Sequence, residues 1–143
     1  MKKYLLDTCA ISGMSKKNPD RAYIKWVAAQ DESGLYLSSI TIGEIYSGIA
    51  RLTDGKKRGT LLKWVSEELL ERFHGRILPL DTVVAARWGE IIGAAGKRGV
   101  NLPVVDAMIA ATALTHGLEV VTRSAPDFEK CGVAVTNPWG SVK

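Results

Sequence analysis

Short runs of consecutive apolar residues alternate along this chain with longer stretches in which apolar residues recur every three or four positions. A short apolar run is typical of a strand that is buried on both faces of a parallel sheet. The wider spacing is typical of a helix with one buried face. The predicted strands are residues 4–6, 35–38, 77–80, 119–122 and 133–135.

The predicted helices lie between those strands. Four of them cover residues 9–14, 39–52, 56–73 and 104–116. Another begins at 18–20 and has Tyr23, Trp26, Val27 and Gln30 on its buried face. A further helix runs from 81–82 to 96–99. Helices 39–52 and 56–73 follow each other without a strand between them and form an inserted αα unit. Because strands and helices alternate elsewhere, the pattern predicts an α/β fold, a three-layer sandwich around a short, mainly parallel sheet.

Composition narrows the class of protein. The 143 residues, 46% hydrophobic and 24% charged, fit one globular domain that spans 1–143. The apolar run after Lys3 is too short for a signal peptide, and no stretch is long enough to cross a membrane, so we expect a cytoplasmic protein. Cys9 and Cys131 form no disulfide framework, and we expect both to be reduced thiols in the core.

Acidic residues recur where the predicted strands end. Asp7 follows the first strand, Glu44 lies in the early turns of the helix after the second, and Asp106 lies in the first turn of the helix before the fourth. Ser124 and Asp127 are expected in the loop after the fourth strand. Because parallel strands share one carboxyl edge, these side chains can converge there. For Asp106 this requires that its helix begin above that edge.

A cluster of carboxylates has a defined chemistry. Carboxylates in one crevice repel one another unless they are protonated or bind a cation. Oxygen ligands without His or paired Cys favour Mg²⁺ or Mn²⁺ over Zn²⁺, and such an ion can activate water against a phosphodiester. The basic clusters 16–17, 56–58 and 97–98, with a net charge of +4, suit a phosphate backbone. The residues therefore predict a metal-dependent phosphodiesterase.

Each of these residues also has a structural interpretation. Asp7 can cap the short helix that follows it. Thr41 and Glu44 have the spacing of a capping box with Thr41 as the cap, which leaves the role of Glu44 open. Asp106 suits a helix dipole whatever its role, although it is the sole charge in the apolar run 105–111. Asp127 can be an ordinary loop residue, and the basic clusters can be solvent-exposed faces of helices.

Six segments together resemble a known family, and they occur in the same order over nearly the whole chain. They are Leu5-Leu6-Asp7-Thr8, residues 37–45 around Glu44, residues 76–81, residues 105–113 around Asp106, Val121-Thr122-Arg123, and Asn137-Pro138-Trp139. In this ordered set the chain resembles the PIN-domain family, in particular the VapC-type and FitB-like toxin ribonucleases of bacterial toxin–antitoxin pairs.

The resemblance implies an endoribonuclease that depends on Mg²⁺ or Mn²⁺. Asp7, Glu44 and Asp106 match the three core acids of the family, with Asp7 and Asp106 as the expected direct metal ligands and Glu44 binding directly or through water. Thr8 matches a threonine whose hydroxyl orients the carboxylates. The resemblance further implies a homodimer and a small antitoxin that covers the active site, and it leaves transfer, ribosomal and messenger RNA equally open as substrates.

One position departs from the family pattern and keeps alternatives open. Relatives with a fourth acidic position usually place Asp or Asn after the Thr-Arg pair, where this chain has the uncharged Ser124. A full second metal site would then need Asp127. The departure favours a catalytically weakened RNA-binding module with the same fold. A haloacid-dehalogenase-like phosphatase is a further alternative, but it requires a second Asp where this chain has Cys9.

Overall fold

A sheet of five parallel strands forms the middle layer of the structure, a computed structural model that describes residues 2–139. The strand order is β3-β2-β1-β4-β5, and each neighbouring pair is parallel. The strands are β1 Tyr4–Leu6, β2 Leu35–Ser38, β3 Ile77–Leu78, β4 Glu119–Val121 and β5 Val135–Thr136. The predicted α/β sandwich with a short parallel sheet is therefore confirmed.

Eight α-helices of the described chain cover the two faces of the sheet. They are α1 Thr8–Met14, α2 Arg21–Ala29, α3 Ser39–Ala50, α4 Lys56–Lys63, α5 Leu70–Arg72, α6 Thr82–Lys97, α7 Val104–His116 and α8 Ala125–Glu129. A 3₁₀ turn, Glu32–Gly34, precedes β2, and a π-helical segment, Trp64–Leu69, joins α4 to α5. No helix within residues 2–139 combines the length and apolar character that crossing a membrane requires.

The core is divided by the sheet into two hydrophobic clusters. Leu6 and Val121 point into the cluster formed with α1 to α5, whereas Leu5 and Val120 point into the cluster formed with α6 to α8. Consecutive strand residues alternate between the faces, so an unbroken apolar run is needed to fill both. This is the physical basis of the strand predictions.

Helix starts and ends follow local chemistry. Asp20 and Asp81 cap α2 and α6, accepting hydrogen bonds from backbone N–H groups three residues later at 2.9 and 3.0 Å. Helix α7 begins after Pro103 and ends at Gly117, whose φ of 67° lies in the left-handed region that favours glycine. The predicted range 104–116 for this helix is confirmed.

The structure corrects the predicted start of α3. Its cap is Ser38, whose Oγ accepts from the backbone N–H of Ile40 at 3.1 Å, rather than Ser39 or Thr41. Thr41 is fully buried inside the helix, and Glu44 lies in the second turn. The capping-box interpretation is therefore wrong, because α3 begins at Ser39, directly after β2, and Thr41 already lies in its first turn.

Four smaller predictions also need correction. The third strand ends at Leu78 instead of residue 80, and the fifth spans Val135–Thr136 instead of 133–135. The segment after β4 is not a simple loop, because Asp127 lies in α8. Cys9 is exposed, since its position on α1 faces away from the sheet, whereas Cys131 is buried as expected; both are free thiols.

The strand order creates a crevice between β1 and β4. The chain proceeds from β1 outward to β2 and β3, and then crosses back to β4 on the other side of β1. In open α/β sheets, such a switch point at the carboxyl ends of the strands is where ligands bind. Helix α7 packs on the sheet and ends two residues before β4 begins, so it runs antiparallel to the strands. Its first turn, with Asp106, thus lies at the same edge as Asp7.

Candidate active site

Asp7 lies directly after β1, at the centre of the crevice. Its side chain is 6% exposed, and its Oδ1 accepts a hydrogen bond from the backbone N–H of Ala10 at 2.8 Å. The backbone N–H of Asp7 donates to the carbonyl of Val121 in β4 at 3.1 Å. Asp7 therefore caps α1, as the structural interpretation proposed. The cap alone does not account for its surroundings, which are acidic.

The pKa of Asp7 is strongly perturbed. Burial raises it from 3.8 to about 6, and the charges of Asp106 and Glu44 add to the increase. Hydrogen bonds from the Thr122 hydroxyl and the Ala10 N–H oppose this change without cancelling it. A buried carboxylate with acidic neighbours is costly in its charged form, and either a proton or a cation relieves that cost.

Thr8 connects the first two acidic positions. It is the first residue of α1, and its hydroxyl donates a hydrogen bond to Oε1 of Glu44 in the second turn of α3. Both side chains are half-buried. The bond holds one oxygen of the Glu44 carboxylate toward α1 and leaves the other oxygen for a second partner.

Asp106 and Asp127 form the other side of the crevice. Asp106 is half-buried in the first turn of α7, and burial raises its pKa, followed by the charges of Asp127 and Glu44. Asp127, in the first turn of α8, is thus close enough to Asp106 to act on it electrostatically. The structure brings the predicted acids Asp7, Glu44 and Asp106 together, with Asp127 beside them.

The acidic cluster meets the requirements of a metal ion only in part. Among the described residues, no three His, Cys, Asp or Glu side chains converge closely enough to form a complete metal site by themselves. Within residues 2–139, none of the three core acids forms an ion pair with a basic side chain. Mg²⁺ commonly binds through one or two carboxylates and completes its shell with water and substrate phosphate. The carboxylates of the buried Asp7 and the half-buried Asp106 supply only oxygen donors, and this set fits that mode of binding.

Comparison with known proteins identifies the family that shares this arrangement. Residues 4–131 match the PIN domain family. The chain belongs to the PIN-domain family. It is 39% identical over 135 residues to the toxin FitB of Neisseria gonorrhoeae, covering 94% of this chain and 97% of FitB. It is 38% identical over 135 residues to the VapC ribonuclease Y4jK of Sinorhizobium fredii, covering 94% and 96%.

Solved structures show the same fold as this PIN domain. A chain of FitAcB from Neisseria gonorrhoeae matches it with a TM-score of 0.89 at 39% identity, covering 95% of this chain and 98% of that one. A chain of the DNA-bound VapBC complex of Salmonella typhimurium matches with a TM-score of 0.76 at 28% identity, covering 95% and 98%. The family predicted from the sequence is confirmed, and membership of it excludes the haloacid-dehalogenase-like alternative.

Thr122 is a residue of the site of this PIN domain that was not predicted from the sequence. Thr122 follows β4 and is fully buried; its Oγ1 accepts from the backbone N–H of Ser124 at 2.8 Å and its hydroxyl donates to Asp7. The predicted strand 119–122 included Thr122, whereas β4 ends at Val121, so Thr122 follows its strand in the same way that Asp7 follows β1. Ser124 itself is exposed, and its side chain makes no capping bond to α8.

A groove of about 970 Å³ begins at Thr8 and Glu44 and runs between α1, α3 and α4. Its walls carry Lys16-Lys17 and Lys56-Lys57, with apolar residues such as Ile49 and Trp64 beneath them. Two of the three basic clusters singled out in the sequence thus lie beside the acidic site. The third is remote from it, because Arg98 lines a separate pocket between α6 and the segment after α8.

Proposed function

We propose that this PIN domain is a Mg²⁺- or Mn²⁺-dependent endoribonuclease and the toxin of a type II toxin–antitoxin pair. The observation that carries the proposal is the buried Asp7 carboxylate, with a pKa near 6, at the switch point of the sheet beside Asp106 and Glu44. Relatives that share at least 38% of their residues with this chain are named as a ribonuclease and a toxin. Both names support the proposal.

Each side chain has a distinct role in the proposed site. Asp7 and Asp106 hold the ion directly, and Glu44 completes the cluster directly or through water. An ion held there would polarise a phosphoryl oxygen and would lower the pKa of water, which is the chemistry that hydrolysis of a phosphodiester needs. Thr8 orients Glu44 and Thr122 orients Asp7, so the carboxylates keep their positions when substrate arrives. Asp127 supports the ion only through its charge beside Asp106.

The lysines of the groove suit the proposed substrate. The four lysine ammonium groups that line the groove attract a phosphate backbone, and the groove reaches the acidic cluster, where cleavage is proposed to take place. The substrate is RNA in single-stranded form, since a strand must bend into the crevice to present one phosphate. We also propose a cytoplasmic location, where cellular RNA is available as substrate.

Two protein partners complete the proposal. This chain is 39% identical to a protein named the toxin FitB, which supports a cognate antitoxin that inhibits the nuclease. We propose in addition that the active form is a homodimer. Size-exclusion chromatography with light scattering tests the dimer, and a monomer across the working concentration range would contradict it.

The nuclease proposal is tested with purified protein and a pool of RNA. Cleavage is expected with Mg²⁺ or Mn²⁺, and it is expected to stop with EDTA or in the variant Asp7→Asn. Asp31→Asn is the matched control, because Asp31 is exposed and lies before β2, at the opposite edge of the sheet. Cleavage without any divalent ion, or a folded Asp7→Asn protein with full activity, would overturn the proposal.

One observation favours a second candidate function. Ser124 supplies no charge where related nucleases usually have Asp or Asn, which suits an RNA-binding module with weakened catalysis. Such a module retains RNA on a filter but releases no fragments with Mg²⁺, Mn²⁺ or Co²⁺. The same RNA pool therefore distinguishes the two functions.

A further inference from the structure

The closing Asn-Pro-Trp segment has a defined structural role. Asn137 Oδ1 accepts a hydrogen bond from the backbone N–H of Trp139 at 3.1 Å, which turns the chain back toward α2. The Trp139 ring then stacks on Tyr23, with ring centroids 4.3 Å apart and planes 6° apart. Tyr23 is fully buried, and its hydroxyl donates to the carbonyl of Ala10 in α1 at 2.5 Å. The stack is thus joined to the helix that Asp7 caps.

Arg123 lies over the Trp139 ring of this stack. Its guanidinium carbon lies 5.4 Å from the centre of the Trp139 ring, a cation–π distance. Arg123 is exposed, and no carboxylate within residues 2–139 forms a salt bridge with it. The contact with the ring leaves the guanidinium N–H groups able to donate. The planar guanidinium of arginine is well suited to bidentate binding of phosphate.

The stack borders a pocket next to the acidic cluster. The pocket has a volume of about 250 Å³ and is lined by Cys9, Lys16, Asn18 and Arg123 among others. Cys9 is two residues from Asp7, so the pocket lies near the acidic cluster, and the cations Arg123 and Lys16 both line it. Asp20, the acidic residue of its wall, uses Oδ1 to cap α2.

We propose that this pocket binds a backbone phosphate of the RNA strand adjacent to the scissile phosphate, through the Arg123 guanidinium and the Lys16 ammonium. The inference rests on the proposed nuclease function and adds a subsite to it. Lys16 also lines the lysine groove on the other side of Thr8, so one strand can pass from the groove across the acidic cluster into the pocket. A volume of 250 Å³ accommodates a phosphate with its ribose and excludes a duplex.

The subsite is tested first by RNA binding in EDTA, which removes cleavage from the measurement. The probe is a fluorescein-labelled single-stranded RNA oligonucleotide, titrated at several salt concentrations with wild type and with Arg123→Gln. Binding weakens as salt rises, and loss of one phosphate contact makes the slope of log K against log [salt] less steep by about 0.7 for a single strand. Arg98→Gln is the matched control with the same change in charge, and its slope is expected to equal that of wild type.

Further variants keep the test independent of folding. Arg123→Lys retains the charge and is expected to keep the wild-type salt slope. Lys16→Gln removes an exposed side chain without a structural contact to Trp139, and is expected to lower the slope even if Arg123→Gln unfolds. A folded Arg123→Gln and a folded Lys16→Gln that both bind with the wild-type slope would overturn the subsite.

Cleavage in Mg²⁺ separates this inference from the nuclease proposal. Arg123→Gln is expected to raise KM roughly tenfold, since a charge-assisted hydrogen bond is lost, with a smaller change in kcat. If wild type cleaves RNA and the variant keeps its KM, the subsite is wrong and the nuclease stands. If wild type never cleaves but the salt slope falls in the variants, the phosphate site stands and the nuclease proposal is wrong.

Discussion

The Thr8 hydroxyl donates a hydrogen bond to Oε1 of Glu44, a residue 36 positions further along the chain. Thr8 begins α1 directly after Asp7, and Glu44 lies on α3, so this bond ties the helix capped by one core acid to the helix that carries another. The orientation of the Glu44 carboxylate therefore depends on a residue of a different element.

Replacing Thr8 with valine is expected to lower kcat by about 10- to 100-fold, the range found when the partner of a metal-ligating side chain is removed. Valine keeps the shape of threonine, so the fold is expected to remain. Steady-state cleavage of a defined RNA measures the effect. Thr8→Ser should retain most activity, and Thr115→Val, at the far end of α7, is the matched control. Equal kcat for Thr8→Val and Thr115→Val would contradict the assigned role.

Asp7→Asn is expected to stabilise the protein at neutral pH in the absence of divalent ions. The folded-state pKa of Asp7 is raised from 3.8 to about 6, so its contribution to stability is fully present below pH 3.8 and is lost as the pH rises through 6. Removing the charge should recover up to about 3 kcal/mol at pH 8 and almost nothing at pH 3.5. Urea unfolding of both proteins across this pH range measures the difference.

With divalent ions present, wild type should be more stable than Asp7→Asn at pH 8. Mn²⁺ is expected to raise the melting temperature of wild type at pH 8 and to leave Asp7→Asn nearly unchanged, since ligand binding to the native state alone adds stability. If the difference in unfolding free energy between Asp7→Asn and wild type is the same at pH 3.5 and at pH 8, the pKa of Asp7 is not raised in the folded protein.

Thr122→Val is expected to move the acidic limb of the pH–activity profile upward by about one unit. The Thr122 hydroxyl lowers the pKa of Asp7, and a hydrogen bond to a carboxylate contributes on the order of 1.5 kcal/mol. Without it, Asp7 holds its proton to a higher pH and is available as a carboxylate only above that pH. The measurement is kcat/KM from pH 5 to 9, with Thr122→Ser expected to restore the wild-type profile.

Ser124→Asp is expected to tighten Mn²⁺ binding by roughly three- to tenfold, because added carboxylate charge raises the affinity of oxygen-ligand sites. The residue is one hydrogen bond from Thr122, which itself contacts Asp7. Calorimetric titration with Mn²⁺ measures the affinity, and Ser124→Asn provides the uncharged comparison. Unchanged affinity in Ser124→Asp would place residue 124 outside the reach of the ion.

Thr41→Val is expected to stabilise the fold by about 1 kcal/mol without changing activity. Thr41 is fully buried, and its Oγ1 has no hydrogen-bond partner among the described residues, so its hydroxyl is desolvated without compensation. Valine has the same shape and no polar atom. The expected rise in melting temperature is about 3 °C. Thr41→Ser keeps the hydroxyl but loses the methyl group, and it should melt below wild type.

The strands and helices were predictable because their energetics are local. The run 4–6 is apolar since both faces of β1 are covered, and Gly117 ends α7 because it adopts a left-handed conformation. The predictions were wrong where a neighbouring element determines the local structure. The cap of α3 is Ser38 instead of Thr41 because the helix begins directly after β2, and α8 formed over a segment whose five residues carry too little pattern to predict a helix.

The sequence by itself determined the family, through six ordered segments, and it predicted that the acids Asp7, Glu44 and Asp106 lie near strand ends. The tertiary structure alone decided which hydroxyls hold them, that Cys9 is exposed, and that Trp139 returns to stack on Tyr23 beneath Arg123. Periodicity reports the burial of a face, which depends on residues a few positions apart. The partners of Glu44 and Asp7 depend on the strand order β3-β2-β1-β4-β5, which brings distant segments together and leaves no periodic signal.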